Sequence, residues 1–281
     1  MLRSALVLVS AWLLAATSLD ATPPAADGLR FVRDGVTLRT LSAAELASRC
    51  GARTVTVDDP SYASEKRYLA CPLRAVIREG FGEPVESLAG ESFFFRAKDG
   101  YTRPASGHVV AEDGGYLALG DADLGVGRFE PIDHRRLDPA PFYLVWTGAA
   151  QRDPDRHPWP YQLTAIEVAP FEAEFAHTRP EGLPPDSPAW RGFEIFRRQC
   201  FACHAMNGEG GRVGPDLNVP QSIVEYRPRE QIRAYVRDPS KFRHTTMPAH
   251  PGLDDADLDA LLAYFDAMRE RKHDPHQEAS P

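Results

Sequence analysis

The spacing of apolar residues changes character along the chain. From Thr54 to Ala70, "TVTVDDPSYASEKRYLA", apolar and polar positions alternate on both sides of a turn cluster at Asp58 to Ser61, the period-two pattern of a β-hairpin. Just before it, residues 41–49 ("LSAAELASR") predict a short helix, with Ser42 as N-cap and Glu45 three positions on in capping-box spacing. Residues 72–79 predict a second helix with proline at its first turn. "ESFFFRAKDGY", "GGYLALGD", "PFYLVWTG" and "YQLTAIEVAPF" then read as strands punctuated by glycine. Residues 27–176 are thus expected to form an α+β domain with a mixed or antiparallel sheet.

The pattern breaks at residues 177–188, "HTRPEGLPPDSP", where four prolines and a glycine predict an extended linker. Beyond it the period lengthens. "SPAWRGFEIFRRQ", "RPREQIRAYVRD" and "DDADLDALLAYFDAMRER" predict three helices separated by Gly- and Pro-rich loops, with Leu258, Leu261, Leu262 and Phe265 at helical spacing. These place an all-α domain at residues 189–273, followed by a flexible tail at 274–281.

At the other end, residues 1–21 set Arg3 before an apolar run and a group of small residues, the layout of a secretory signal. The run is shorter than the roughly 20 residues of a membrane span, so an exported, periplasmic protein without stable membrane insertion is expected, with an uncleaved anchor as the alternative. Composition adds two exclusions. With 43% hydrophobic and 26% charged residues the chain is that of a folded globular protein, and a formal charge of -8 without a basic stripe argues against nucleic acid as a partner.

The chemistry concentrates in "RRQCFACHAM", residues 197–206, which holds two of the four cysteines. A structural disulfide does not explain the adjacent His204, a redox C-x-x-C would sit in a βαβ context, and zinc would need two further ligands nearby. C-x-x-C-H is the attachment pattern of haem c: the thiols of Cys200 and Cys203 add to the porphyrin vinyl groups, and His204 reaches the iron. One covalent haem is therefore expected. For the second axial position Met247, in the loop "TTMPAH" and stiffened by Pro248, is the leading candidate, with His244 and His250 as competitors.

With Gly192 and Phe196 before "CFACH", then "GPDL" at 214–217, "MP" at 247–248 and the aromatic in "LLAYF", residues 189–270 resemble a class I cytochrome c domain. That resemblance implies thioether bonds at Cys200 and Cys203, His204 as proximal ligand and Met247 as distal ligand. It also implies that the Pro215 carbonyl orients the His204 ring. The helices at 190–199 and 255–270 would cross at Gly192 and Tyr264.

The region 36–172 resembles the sulfite-oxidase-type molybdopterin-binding fold through "RYLACPLRAVIREGFG", "KDGYTRP", "GYLALGDAD", "DPAPFYLVWTG" and "YQLTAIEV". An active member would hold molybdenum on a cysteine thiolate, and only Cys50 and Cys71 are available there. A hairpin turn centred between Pro60 and Ser61 would set those two residues opposite each other, within disulfide reach. A disulfide, two buried free thiols and a molybdenum thiolate all stand as readings. His108, His134, Arg135, Arg136 and His157 show no convergence in sequence, and Asp99 with Tyr101 reads as a turn.

Together these readings describe an electron-transfer cytochrome with unidentified redox partner proteins, without a substrate-converting active site. Molybdopterin is not expected in its front domain, which would serve docking or complex assembly. The rivals are a molybdenum-dependent oxidoreductase that feeds its own haem, and a haem-based redox or ligand sensor.

Overall fold

The computed structural model describes residues 28–133 and 136–278; the expected signal at 1–21 lies outside them, as do His134 and Arg135. The fold is mixed α+β, with a β-rich region first and helices at the C-terminal end.

Strands β1 (Leu29–Arg33) and β2 (Val36–Leu41) open the described chain as a hairpin closed by Asp34 and Gly35, both at positive φ. The Asp-Gly pair between two runs was the available signal for this hairpin, which the patterning above did not single out. Helix α1 (Ala43–Arg49) starts as expected: the Glu45 N–H donates to Ser42 Oγ at 3.3 Å, and the Ser42 N–H to Glu45 Oε2 at 2.9 Å.

Strands β3 (Arg53–Asp59) and β4 (Ser64–Pro72) form the expected hairpin in a different register. Arg53 faces Ala70 and Asp59 faces Ser64, so the turn is centred one residue later than anticipated. The cause is local: the Asp59 carboxylate accepts the Ser61 N–H at 2.8 Å, and Ala63 takes φ of 51°, which makes Pro60 to Ala63 a four-residue loop. Cys50 consequently lies outside the ladder, at the C-cap of α1. It is nevertheless bonded to Cys71 of β4, with Cα atoms 5.5 Å apart, so the disulfide ties a helix end to a strand instead of joining two facing residues.

Helix α2 (Leu73–Phe81) follows β4 directly. Strands β5 (Ser92–Ala97) and β6 (Thr102–Ser106) lead through the single turn α3 (Gly107–Val110) to β7 (Gly115–Asp121), β8 (Tyr143–Trp146) and β9 (Leu163–Val168). Two sheets result, ordered β2-β1-β9-β5-β6 and β3-β4-β7-β8; β1 and β9 run parallel and the other pairs antiparallel.

Strand alternation divides three consecutive phenylalanines between two cores. Phe93 and Phe95 enter the core of the β-rich region with Phe31, Tyr68 and Trp146, whereas Phe94 faces the helical core. There it meets Phe171 of the turn α4 (Phe171–Glu174) and Phe175, the latter at 4.9 Å between ring centres.

The stretch expected to be extended, residues 177–188, runs as turns against the helices. Thr178 is fully buried, and its carbonyl accepts the Tyr264 hydroxyl at 2.6 Å. Helix α5 (Pro188–Gln199) then crosses α8 (Asp255–Arg269), as the cytochrome c resemblance implied for Gly192 and Tyr264. A β-carbon on Gly192 would lie 2.0 Å from the Ala260 carbonyl oxygen, so only glycine permits this approach, and the Phe196 and Tyr264 rings sit 5.3 Å apart beside it. The short pair β10 (Ala205–Met206) and β11 (Glu209–Gly210), the turn α6 (Ile223–Tyr226) and helix α7 (Arg229–Arg237) lie between the two. Residues 275–278 add a last helical turn, α9. Among the described residues, no helix is long and apolar enough to cross a membrane.

Candidate haem-binding site

Helix α5 ends at Cys200, whose N–H still donates to the Phe196 carbonyl at 2.8 Å. The chain then tightens, and the Cys200 carbonyl accepts the N–H groups of both Cys203 (3.1 Å) and His204 (2.9 Å). One turn therefore presents two thiols and an imidazole in a fixed arrangement. Neither cysteine is in a disulfide. Burial pushes the Cys200 thiol up to about 12 and the Cys203 thiol up to about 11, which favours the neutral thiol in both.

The His204 Nδ1–H donates to the Pro215 carbonyl at 2.8 Å, which leaves Nε2 as the nitrogen available to a metal. Burial depresses the His204 pKa and favours the neutral ring that ligation requires. The backbone passes close beside this ring: a β-carbon on Gly214 would fall 2.3 Å from His204 Cε1. Any side chain at 214 would displace the imidazole.

Cys200, Cys203 and His204 line one wall of a cavity of about 290 Å³. Met247 and His250 also line it, together with apolar side chains of α7 and α8 such as Val236 and Leu261. Met247 is half-buried against the helical core, and its N–H donates to Thr245 Oγ1 at 3.1 Å. The His250 N–H donates to the Val236 carbonyl at 3.1 Å, and burial lowers its pKa. His244 is exposed and outside the cavity wall. The structure thus gathers Cys200, Cys203, His204, Pro215 and Met247 at one place, keeps His250 with them and leaves His244 out.

Among the described residues, the candidates His108, Arg136, His157 and Asp99 with Tyr101 are not gathered at one site. His108 and Arg136 are exposed. His157 is buried against Trp146, with Nε2 2.8 Å from Glu112 Oε2. Asp99 Oδ1 accepts the Tyr101 N–H at 2.9 Å, which makes that segment the expected turn. Sequence reasoning missed what this turn touches. The Thr102 N–H donates to the Ala202 carbonyl, between the two cysteines, at 2.9 Å, and the Arg212 N–H donates to the Gly100 carbonyl at 2.9 Å. Contacts between residues a hundred positions apart leave no local signal in the chain.

The chain matches the cytochrome c family over residues 189–269. A 117-residue stretch is also 30% identical to cytochrome c oxidase subunit 2 of Alkalihalophilus pseudofirmus, which covers 39% of this chain and 34% of that subunit. The chain therefore spans about a third of the length of this curated relative. The C-terminal region is a cytochrome c domain, and that family implies covalently bound haem c and a haem-based electron-transfer role. The residues fit such a group: two free thiols, an imidazole with Nε2 unengaged and a glycine that clears its ring all border one largely apolar cavity. The family match does not reach residues 36–172, where the likeness to the sulfite-oxidase-type fold rests on the sequence segments given above.

Proposed function

We propose that the protein is an exported, periplasmic monohaem cytochrome c that carries single electrons between redox partner proteins. In this reading residues 189–273 hold the haem through Cys200 and Cys203, with His204 and Met247 as axial ligands. Bound there, the haem iron supplies a one-electron couple. The chain's own part would be to fix the His204 ring through Pro215, to supply the Met247 sulfur as the second ligand and to keep water out with the apolar surfaces of α7 and α8. The observation that carries the reading is that the Cys200–His204 turn and Met247 border the same cavity, with His204 Nδ1 already engaged.

Residues 27–176, followed by the Pro-rich segment 177–188, would form a divergent sulfite-oxidase-type domain that docks the haem domain or builds it into a complex. The Cys50–Cys71 disulfide supports this over molybdenum chemistry, because it consumes both cysteines that could have supplied a thiolate. The similar stretch in a subunit of cytochrome c oxidase makes an oxidase a partner to test as electron acceptor.

The test is the full chain matured in a host that assembles haem c and makes molybdopterin. One iron per chain, pigment that survives acidified acetone, and no molybdenum are expected. Met247→Ala should open the sixth position, seen as loss of the low-spin sulfur-ligated spectrum and new binding of carbon monoxide, while the covalent pigment remains. A colourless chain would end the haem reading. Molybdenum with substrate-driven haem reduction would favour the oxidoreductase, and carbon monoxide binding to the unmutated protein would favour the sensor.

A further inference from the structure

Arg103 belongs to the β-rich region yet donates from Nη1 to the Arg198 carbonyl at 3.0 Å, in the last turn of α5 before Cys200. Its Nη2 donates to the carbonyls of Pro154 (3.0 Å) and Asp155 (2.8 Å), and Nε, also buried, has no hydrogen-bond partner among the described residues. Only 7% of the residue is exposed. Beside it, the Thr102 N–H donates to Ala202, so the guanidinium is held against the turn that carries both thiols.

A buried cation of this kind is costly unless a carboxylate neutralises it, and neutral carbonyls satisfy its donors without cancelling its charge. The nearest carboxylate, Asp155 Oδ1, is 3.9 Å away on a side chain 46% exposed. Of the other charges near the turn, Asp99, Arg198 and Arg212 are exposed and screened by water and salt, and Asp216, which acts on His204, is only half-buried. Arg103 is therefore the one strongly buried formal charge among those named.

We propose that Arg103 raises the reduction potential of the haem held by Cys200–His204, and that docking of residues 100–103 on this turn is the means by which the β-rich region sets it. The inference rests on the haem reading above. Oxidised iron carries one more positive charge than reduced iron, so a nearby buried cation disfavours the oxidised state. Arg103 ligates nothing; its role is electrostatic.

The experiment is a spectroelectrochemical titration of the full-length, haem-loaded protein, compared at the solution potential where the unmutated protein is half oxidised. In Arg103→Gln the ratio of oxidised to reduced protein should rise about threefold to tenfold. Arg103→Lys, which keeps the charge but not the planar fork, should stay within about twofold of the parent. Asp155→Asn, which removes the nearest countercharge, should shift the ratio the other way, and this keeps the proposal open to refutation if the glutamine variant fails to mature. An unchanged Arg103→Gln, a lysine variant that shifts as far as the glutamine one, or an unshifted Asp155→Asn would each overturn the proposal while leaving the coloured, covalently loaded protein in place. Absence of pigment in the parent protein would instead refute the haem reading itself.

Discussion

Phe31, Phe93, Phe95, Tyr143 and Trp146 fill the interior of the β-rich region with their own rings, while in the helical region Ile232, Val236, Leu261, Phe265 and Met247 face a cavity of about 290 Å³. The first set is packed on all sides by protein. The second borders a cavity with largely apolar walls, a surface suited to dispersion contact with a flat apolar group. The β-rich region is also cross-linked, by Cys50–Cys71, whereas the two cysteines of the helical region remain free. One region encloses its own aromatic core, and the other lines a cavity beside the attachment turn.

The strongest way to break this contrast is to remove the thiols of the helical region. Cys200→Ser with Cys203→Ser should lose covalent pigment completely. Hydrogen exchange should then show the helices of residues 188–269 losing protection while β1, β5 and β9 keep theirs; equal protection in both regions would erase the distinction. A smaller effect is expected from the disulfide. Cys50→Ala with Cys71→Ala should lower the stability of the β-rich region by about 3 kcal/mol in denaturant titrations and leave the haem spectrum unchanged.

The smallest effect sharpens the contrast through pH. Asp59 is fully buried and accepts hydrogen bonds from the Tyr68 and Tyr143 hydroxyls at 2.8 and 3.0 Å, yet burial outweighs them and raises its pKa above the ordinary carboxylate value. The folded state holds this proton more tightly than the unfolded one. Its contribution to stability is therefore complete below the unfolded value of about 3.9 and is lost as pH rises through the higher folded value. Asp59→Asn should remove that fall, so the variant gains on the parent protein as pH is raised from about 3 towards neutrality. Denaturant midpoints of the β-rich region at several pH values measure it, and parallel curves would show that Asp59 titrates normally.

Much of this contrast was legible before any fold was drawn. Period-two alternation placed β3 and β4, strand propensity placed β5, the Ser42–Glu45 spacing placed α1, and the cytochrome c resemblance anticipated the α5–α8 crossing at Gly192 and Tyr264. The hairpin register was not legible, because Asp59 extends the turn by bonding to Ser61, and a side chain's choice between turn and ladder is settled by the loop as a whole. The disulfide was anticipated by a facing geometry that the structure does not have, and it forms because α1 delivers Cys50 to β4 from outside the ladder.

The sequence alone determined the features that depend on near neighbours: strand and helix periods, a helix cap, and the three reactive side chains of Cys200, Cys203 and His204 on one turn. Tertiary structure decided what depends on distant segments meeting. It sent Phe94 to the second core, kept His250 and excluded His244 from the cavity, and pressed Thr102 and Arg103 onto the attachment turn. The reason is physical: local hydrogen bonds and periodicity are written within a few residues, whereas burial and long-range electrostatics exist only once the chain has enclosed the groups that feel them.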